Sequence, residues 1–307
     1  MNGLRALNLI ALSSAVLFLA GCSSNTIRPG ASESTLSVGA SPTGPGPAWK
    51  YPEIRRASTI NDWSSSYVGC GSTVPGQQSP IMIVPRLAQP APNTLDGLSP
   101  TTYSMALTAQ SVPNSWQFDV TGTAPTMMFT VRPFLDSNHS GTFKITPNAF
   151  HLHAPAEHIF YGEAPAPMEM HITTTGVNVA NPSSAYIMVF AVRFQMNSGI
   201  SSSAMKAVAD ALAGQSANFD LGYFLNLFQT SPLYSYVGGL TTPPCADPTK
   251  PPVTWFLLKD ALSIDVVSLT SITAALEKAA GGPNARLPQM YPTSGAKALL
   301  VVSFGGQ

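Results

Sequence analysis

The sequence predicts a mostly β protein, a sheet core with a few peripheral helices, and three observations carry that prediction. With 28 Pro and 24 Gly in 307 residues the chain must turn often, which argues against a mostly helical protein, while a hydrophobic fraction of 44% suffices for a real core. Short runs rich in β-branched and aromatic residues recur, most of them bounded by Pro, Gly, Asn or Ser. Helical periodicity, in contrast, is carried by two segments alone.

The expected strands are residues 104–107, 116–120, 127–131, 142–145, 150–153, 168–173, 186–194, 253–257 and 299–304. The expected helices are 203–213, with apolar residues at helical spacing, and 269–280, stopped by Gly281-Gly282-Pro283. No second linker, internal repeat or low-complexity stretch divides the chain after about Trp49, so residues 46–307 read as one domain.

Charge narrows the partners. Only 10% of residues are charged, the two signs balance at 15 each, and no basic run could trace a phosphate backbone, which excludes nucleic acid as a partner. The first 22 residues read as an address: Arg5 gives a positive start, residues 6–20 form an apolar stretch too short to span a bilayer, and Leu19-Ala20-Gly21-Cys22 closes it. This pattern resembles a bacterial lipoprotein signal, with Cys22 as the lipidated residue, an exported periplasmic or cell-surface location and a lipid anchor in the membrane; a plain secretory signal with a chance cysteine is the alternative. Residues 23–45, rich in Ser, Gly, Pro and Thr, read as a flexible tether.

With Cys22 assigned to lipid, Cys70 and Cys245 form an even pair in a chain sent to an oxidising compartment, and a disulfide between them is expected. Two buried free thiols are the alternative.

The histidines point to chemistry. Of five, four (His151, His153, His158 and His171) fall within 21 residues. Residues i and i+2 of a strand share a face, so Phe150-His151-Leu152-His153 aims two imidazoles one way, and Glu169-Met170-His171 on a following strand repeats the alternation. If those strands pair antiparallel, a third imidazole converges on the first two. Three neutral imidazoles are a catalytic zinc set, with the fourth tetrahedral position left for water.

Four blocks then resemble the α-class carbonic anhydrases, in the family's order: Gln78-Ser79-Pro80-Ile81, Phe150-His151-Leu152-His153-Ala154-Pro155-Ala156-Glu157-His158, Met168-Glu169-Met170-His171, and Tyr236-Val237-Gly238-Gly239-Leu240-Thr241-Thr242-Pro243-Pro244-Cys245. Asn284-Ala285-Arg286-Leu287-Pro288-Gln289 and Trp49-Lys50-Tyr51 are weaker matches near the two ends. The resemblance implies a central, twisted, mainly antiparallel sheet of about ten strands with one zinc ion at the floor of a conical cleft. It implies the zinc-dependent interconversion of carbon dioxide and bicarbonate by a zinc-bound hydroxide, with His151, His153 and His171 as ligands. It also implies that Thr241 orients the hydroxide and passes its own proton towards an ionised Glu157. Glu169 would orient His171, His158 would buttress the site, and Leu240, Thr242, Thr173, Val189 and Trp116 would line the substrate pocket. A homodimer is compatible with the resemblance, which also implies the Cys70–Cys245 disulfide.

The chain departs from the family pattern in places. Where a glutamine commonly stands two residues ahead of the first ligand, it has Ala149, so water or a backbone carbonyl must orient His151. The segment that carries the proton-shuttling histidine in fast members resembles residues 114–120, with Trp116 at the shuttle position, and indole cannot relay a proton at neutral pH. His139 replaces it only if its loop reaches the cleft. The resemblance thus implies turnover limited by proton transfer. Residues 174–184 and 246–252 read as insertions that extend surface loops.

Two other function classes compete. A catalytically silent binding module on the same fold would typically have lost a zinc histidine, and all three are present. A zinc hydrolase on another fold would need a motif such as His-Glu-x-x-His, and none occurs.

Overall fold

A computed structural model describes residues 49–51, 63–71, 78–90, 102–131, 141–197, 203–246, 252–289 and 301–304. The signal, the tether, Cys22, His139 and most of 246–252 lie outside them. The described strands are β1 (Met82–Ile83), β2 (Gln89–Pro90), β3 (Ser104–Ala106), β4 (Ala109–Val112), β5 (Ser115–Asp119), β6 (Met127–Val131), β7 (Gly141–His153) and β8 (Ile159–Phe160). They continue with β9 (Met168–Asn178), β10 (Asn181–Met196), β11 (Asn218–Asp220), β12 (Leu233–Gly238), β13 (Val253–Leu258), β14 (Leu262–Ile264) and β15 (Val301–Phe304). Three helices accompany them: α1 (Ser203–Leu212), α2 (Leu221–Thr230) and α3 (Val266–Ala280).

The mostly β expectation holds. One sheet contains eleven strands in the order β2-β15-β12-β13-β10-β9-β7-β5-β4, with β14 added to β10 and β6 to β7. It is mixed: β10 runs parallel to β13 and β14, and β15 to β2, while the pairs that carry the histidines are antiparallel.

Residues 142–145 and 150–153, read as two strands, belong to the single strand β7. The sequence breaks its pattern at Pro147, which cannot donate to a ladder, and the structure absorbs it in a register shift between Pro147 and Ala149. The stretch 174–184, read as a loop insertion, instead lengthens β9 and β10 into a hairpin turning at Val179-Ala180. The β-prone runs Thr173–Thr175 and Tyr186–Val189 flank and enter it, and its β9 part pairs with β7 as far as Asn178.

Alternation divides the sheet into two faces. On one, Phe150 and Leu152 of β7, Met170 and Ile172 of β9, and Phe190 and Val192 of β10 pack against α1, α2 and α3 in the larger core. Four rings stack through it: Phe118 on Phe150 at 4.8 Å, Phe150 on Phe219 at 4.7 Å and Phe219 on Phe224 at 5.2 Å. Each buried ring contributes about 1.5–3 kcal/mol, so this face fixes the register of the strands that carry the other. On the opposite face Val189, Ala191, Tyr234, Tyr236, Trp255 and Leu257 form a second core with Ile81, Ile83 and Phe160. Gly238 permits the segment Gln78-Ser79 to lie against β12, because a side chain there would collide with Ser79.

The helices end where the sequence caps them. The Asp265 carboxylate accepts the Ser268 N–H at the start of α3, and Gly281 closes it at φ 75°. α2, absent from the sequence reading, is capped by Asp220, which accepts the Tyr223 N–H.

Candidate metal centre

β7 and β9 pair antiparallel with His151 opposite His171 and His153 opposite Glu169, so the alternation read from the sequence places three imidazoles on one face of two neighbouring strands. Ligand atoms of His151, His153 and His171 all lie within 4.8 Å of one another. The ring centroids are 4.7–5.3 Å apart. His153 and His171 are buried and His151 is half-buried.

Each ring's electrostatics favour the neutral form that a metal requires. Loss of hydration and the neighbouring His171 lower His151 to about 3, with Glu169 opposing. Burial, His171 and His151 hold His153 well below the ordinary imidazole range, and burial lowers His171. His153 Nδ1 shares a hydrogen with the Asn284 carbonyl at 2.7 Å, which leaves Nε2 buried with no hydrogen-bond partner. His171 Nε2 is paired with Glu169 Oε1 at 3.2 Å, while Nδ1 is 3.9 Å from Glu157 Oε2, so Nδ1 is the nitrogen left for a metal. A tetrahedral dication with imidazole ligands fits this set: three neutral donors within 4.8 Å of one another, and His153 Nε2 buried with no hydrogen-bond partner.

The carboxylates behind the rings differ in role. Glu169 Oε2 accepts the backbone N–H groups of Glu157 and His158, and Oε1 takes His158 Nδ1 at 2.7 Å. Burial pushes Glu169 up, but His158 and His171 outweigh it and hold the group well below the usual carboxylate range. The other His158 nitrogen meets Tyr236 Oη at 2.8 Å, and Tyr236 in turn meets Ser79 Oγ at 2.8 Å. Both His158 nitrogens are therefore committed to hydrogen bonds. A second group of potential ligands, His158, Glu169 and His171, lies close together as well, but those bonds leave His158 nothing to offer a metal.

Glu157 accepts the Arg286 backbone N–H on Oε1 at 2.8 Å and sits 3.9 Å from His171 Nδ1 through Oε2. Burial raises it well above the usual carboxylate range, against the pull of the Arg286 N–H and the Thr241 hydroxyl. A dication at the three imidazoles adds the positive charge that favours its ionised form. Thr241, 5% exposed, lies in the turn after β12. That turn is closed by the Leu240 N–H on the Cys245 carbonyl and the Cys245 N–H on the Thr242 carbonyl, and the Cys70–Cys245 disulfide ties it to the segment 63–71.

The sequence of the family described as eukaryotic-type carbonic anhydrase matches residues 58–291. The chain belongs to that family. Solved structures agree on the fold. An α-carbonic anhydrase of Aspergillus oryzae superposes with a TM-score of 0.55 at 22% identity, covering 78% of this chain and 93% of its own. One of Thermovibrio ammonificans, solved with the inhibitor sulfanilamide, gives 0.57 at 22%, covering 84% and 100%. One of Photobacterium profundum gives 0.54 at 23%, covering 83% and 99%. No curated protein matches the sequence. Carbonic anhydrases hydrate carbon dioxide reversibly, and family membership supports carbonate dehydratase activity for this chain.

The remaining expected pocket residues fall on both sides of the sheet. Thr173 is on the metal face, opposite Ala149 on β7 and Val189 on β10, and its hydroxyl donates to the Ala149 carbonyl at 3.1 Å. The hydroxyl is thereby occupied by backbone. Leu240 packs against the second core, to which Val189 belongs, and Thr242 is half-buried in the turn.

Trp116 is a correction. Gln117, not Trp116, stands opposite His151, so Trp116 lies on the other face, where it packs in the larger core and donates Nε1–H to the Ala275 carbonyl of α3 at 3.2 Å. Its indole is not beside the metal face. The β5 residues that share the face of His151 are Ser115, Gln117 and Asp119, with Gln117 and Gln110 both donating to the Asp119 carboxylate, at 2.5 and 2.7 Å.

Two further residues escaped the sequence reading. Asn284 orients His153, and Arg286, only 1% exposed, spans from Glu157 to the carbonyls of Ser79 and Cys70 and the Gln78 side chain. Both stood in a block already matched to the family. The available signal was an arginine inside that matched block in a chain with only 10% charged residues.

Proposed function

We propose that this carbonic anhydrase works with one zinc ion held by His151, His153 and His171. The observation that carries the reading is the convergence of three neutral imidazoles with ligand atoms within 4.8 Å, one of them presenting a buried nitrogen with no hydrogen-bond partner. Zinc supplies Lewis acidity that activates water near neutral pH, with a pKa of about 7 for the bound water in such sites. The chain's own residues orient and exclude. Thr241 accepts a hydrogen bond from the nucleophile and directs its own hydroxyl proton to Glu157, so that a lone pair faces the substrate carbon. Glu157 is held for that task by the Arg286 N–H. Val189 and Leu240 form an apolar wall suited to an uncharged substrate.

Among the described residues the only imidazoles on the metal face are the three proposed ligands, since His158 is buried with both nitrogens bonded. With His139 outside the described residues, the reading these imidazoles support is a maximal turnover limited by proton transfer to buffer. Stopped-flow hydration should speed up as imidazole is added; rates independent of buffer concentration would refute this limit.

The decisive assay is carbon dioxide hydration by purified chain lacking residues 1–22, with and without a zinc chelator and a sulfonamide. Activity lost to both, and restored by zinc, is expected. Activity that survives complete zinc removal would overturn the reading. Export and lipid attachment at Cys22 belong to the same proposal, on the strength of Leu19-Ala20-Gly21-Cys22. Labelled fatty acid incorporated by the wild-type chain and equally by Cys22→Ala would refute the anchor.

A further inference from the structure

The three imidazoles are not equally supported. His153 has its Nδ1 on the Asn284 carbonyl at 2.7 Å. His171 has its Nε2 3.2 Å from Glu169, a carboxylate fixed in turn by His158 and two backbone N–H groups. Both rings are 1% exposed. His151 differs on each count: it is half-buried, and among the described residues neither of its ring nitrogens has a hydrogen-bond partner.

Its neighbours explain why. Ala149, two residues ahead on the same face, ends at Cβ, and its carbonyl is taken by Thr173 Oγ1. Gln117, directly across the strand pair, turns its amide N–H to Asp119 instead. A ligating imidazole whose outer nitrogen has no protein acceptor is held less firmly than two whose outer nitrogens face a fixed carbonyl or carboxylate.

We propose that His151 is the labile ligand: zinc leaves by breaking its bond to His151 first and enters by making that bond last, while His153 and His171 stay in place. This rests on the zinc reading above.

The test is zinc release from the full holo-chain into excess chelator. Ala149→Gln and Ala149→Glu place an acceptor two residues ahead of His151, and Ala149→Leu fills similar space without one. Release should slow about tenfold or more in the acceptor variants and stay at the wild-type rate in Ala149→Leu. Unchanged release in folded acceptor variants, or equal slowing in Ala149→Leu, overturns the proposal. A readout that needs no variant is solvent exchange of the three imidazole N–H protons in the cobalt-loaded wild type. The His151 proton should exchange fastest, and one no faster than the other two overturns the proposal. A wild-type chain that takes up neither zinc nor cobalt would instead refute the zinc reading itself.

Discussion

Replacing Asn284 by alanine tests how the metal face is held. Asn284 is fully buried, and its side chain does three things: Oδ1 accepts the Ala154 N–H at 2.8 Å, and Nδ2 donates to the Leu152 carbonyl at 2.8 Å and to Ser115 Oγ at 3.3 Å. Truncation strands the Ala154 N–H and the Leu152 carbonyl in the interior. Each unsatisfied buried group costs about 1–3 kcal/mol, so the pair costs about 2–6 kcal/mol, a large share of the 5–15 kcal/mol typical of a domain.

The backbone carbonyl that holds His153 survives the substitution, but the side chain that locks its position is gone. Zinc affinity should therefore fall about 10- to 100-fold. Denaturant unfolding of the apo-protein measures the first quantity and chelator competition the second. Asn284→Asp sharpens the result: the acceptor for Ala154 remains, while the NH2 donor is replaced by an oxygen that can only repel the Leu152 carbonyl, so it too should destabilise. A loss below about 1 kcal/mol with wild-type zinc affinity would refute the argument.

Two further predictions concern stability. Asp265→Ala removes the cap of α3 and should cost about 1 kcal/mol near neutral pH. The Ser268 N–H holds the Asp265 carboxyl below its ordinary value, so its stabilisation is present above the unfolded pKa of about 3.9 and lost as pH falls through the folded one; the wild-type and variant unfolding curves should converge in acid, and a constant gap would refute the cap. The Cys70–Cys245 disulfide closes 175 residues, which on the chain-entropy relation is worth about 5 kcal/mol. The double Ser variant should lose stability on that order in urea, and a loss under about 1 kcal/mol would mean that the unfolded chain is not constrained by the crosslink.

Local alternation was enough to put His151 and His153 on one side of β7, because a period of two leaves no choice, while bringing His171 to them took the antiparallel pairing with β9. The same rule, applied to β5, needs a partner's register before it says which side faces the metal. Gln117 opposite His151 is a long-range pairing, and without it the family resemblance put Trp116 on the wrong face. α2 was legible but unread: Asp220 stands at the cap and Leu221, Phe224, Leu225 and Phe228 at helical spacing, yet β-prone aromatics and Gly222 masked the period. The first turn of α3 was missed for a similar reason, since Val266-Val267 are β-branched and only the Asp265 cap marks them as helical. Pro147 looked like a strand end because a bulge is invisible until the partner strand is known.

The metal face owes its geometry to the opposite one. A slip of β7 by a single residue against β9 would turn His151 and His153 into the larger core and expose Phe150 and Leu152 on the metal side, since side chains alternate strictly. Phe150 lies in the four-ring stack that ties β5 and β7 to β11 and α2, and Leu152, Met170 and Ile172 are each fully buried beside it. The cost of that slip, several apolar side chains at about 1.5–3 kcal/mol each, exceeds what three neutral imidazoles gain from any arrangement without a metal. The apolar core therefore selects the register in which His151 faces His171, and the three imidazoles are brought together by packing alone.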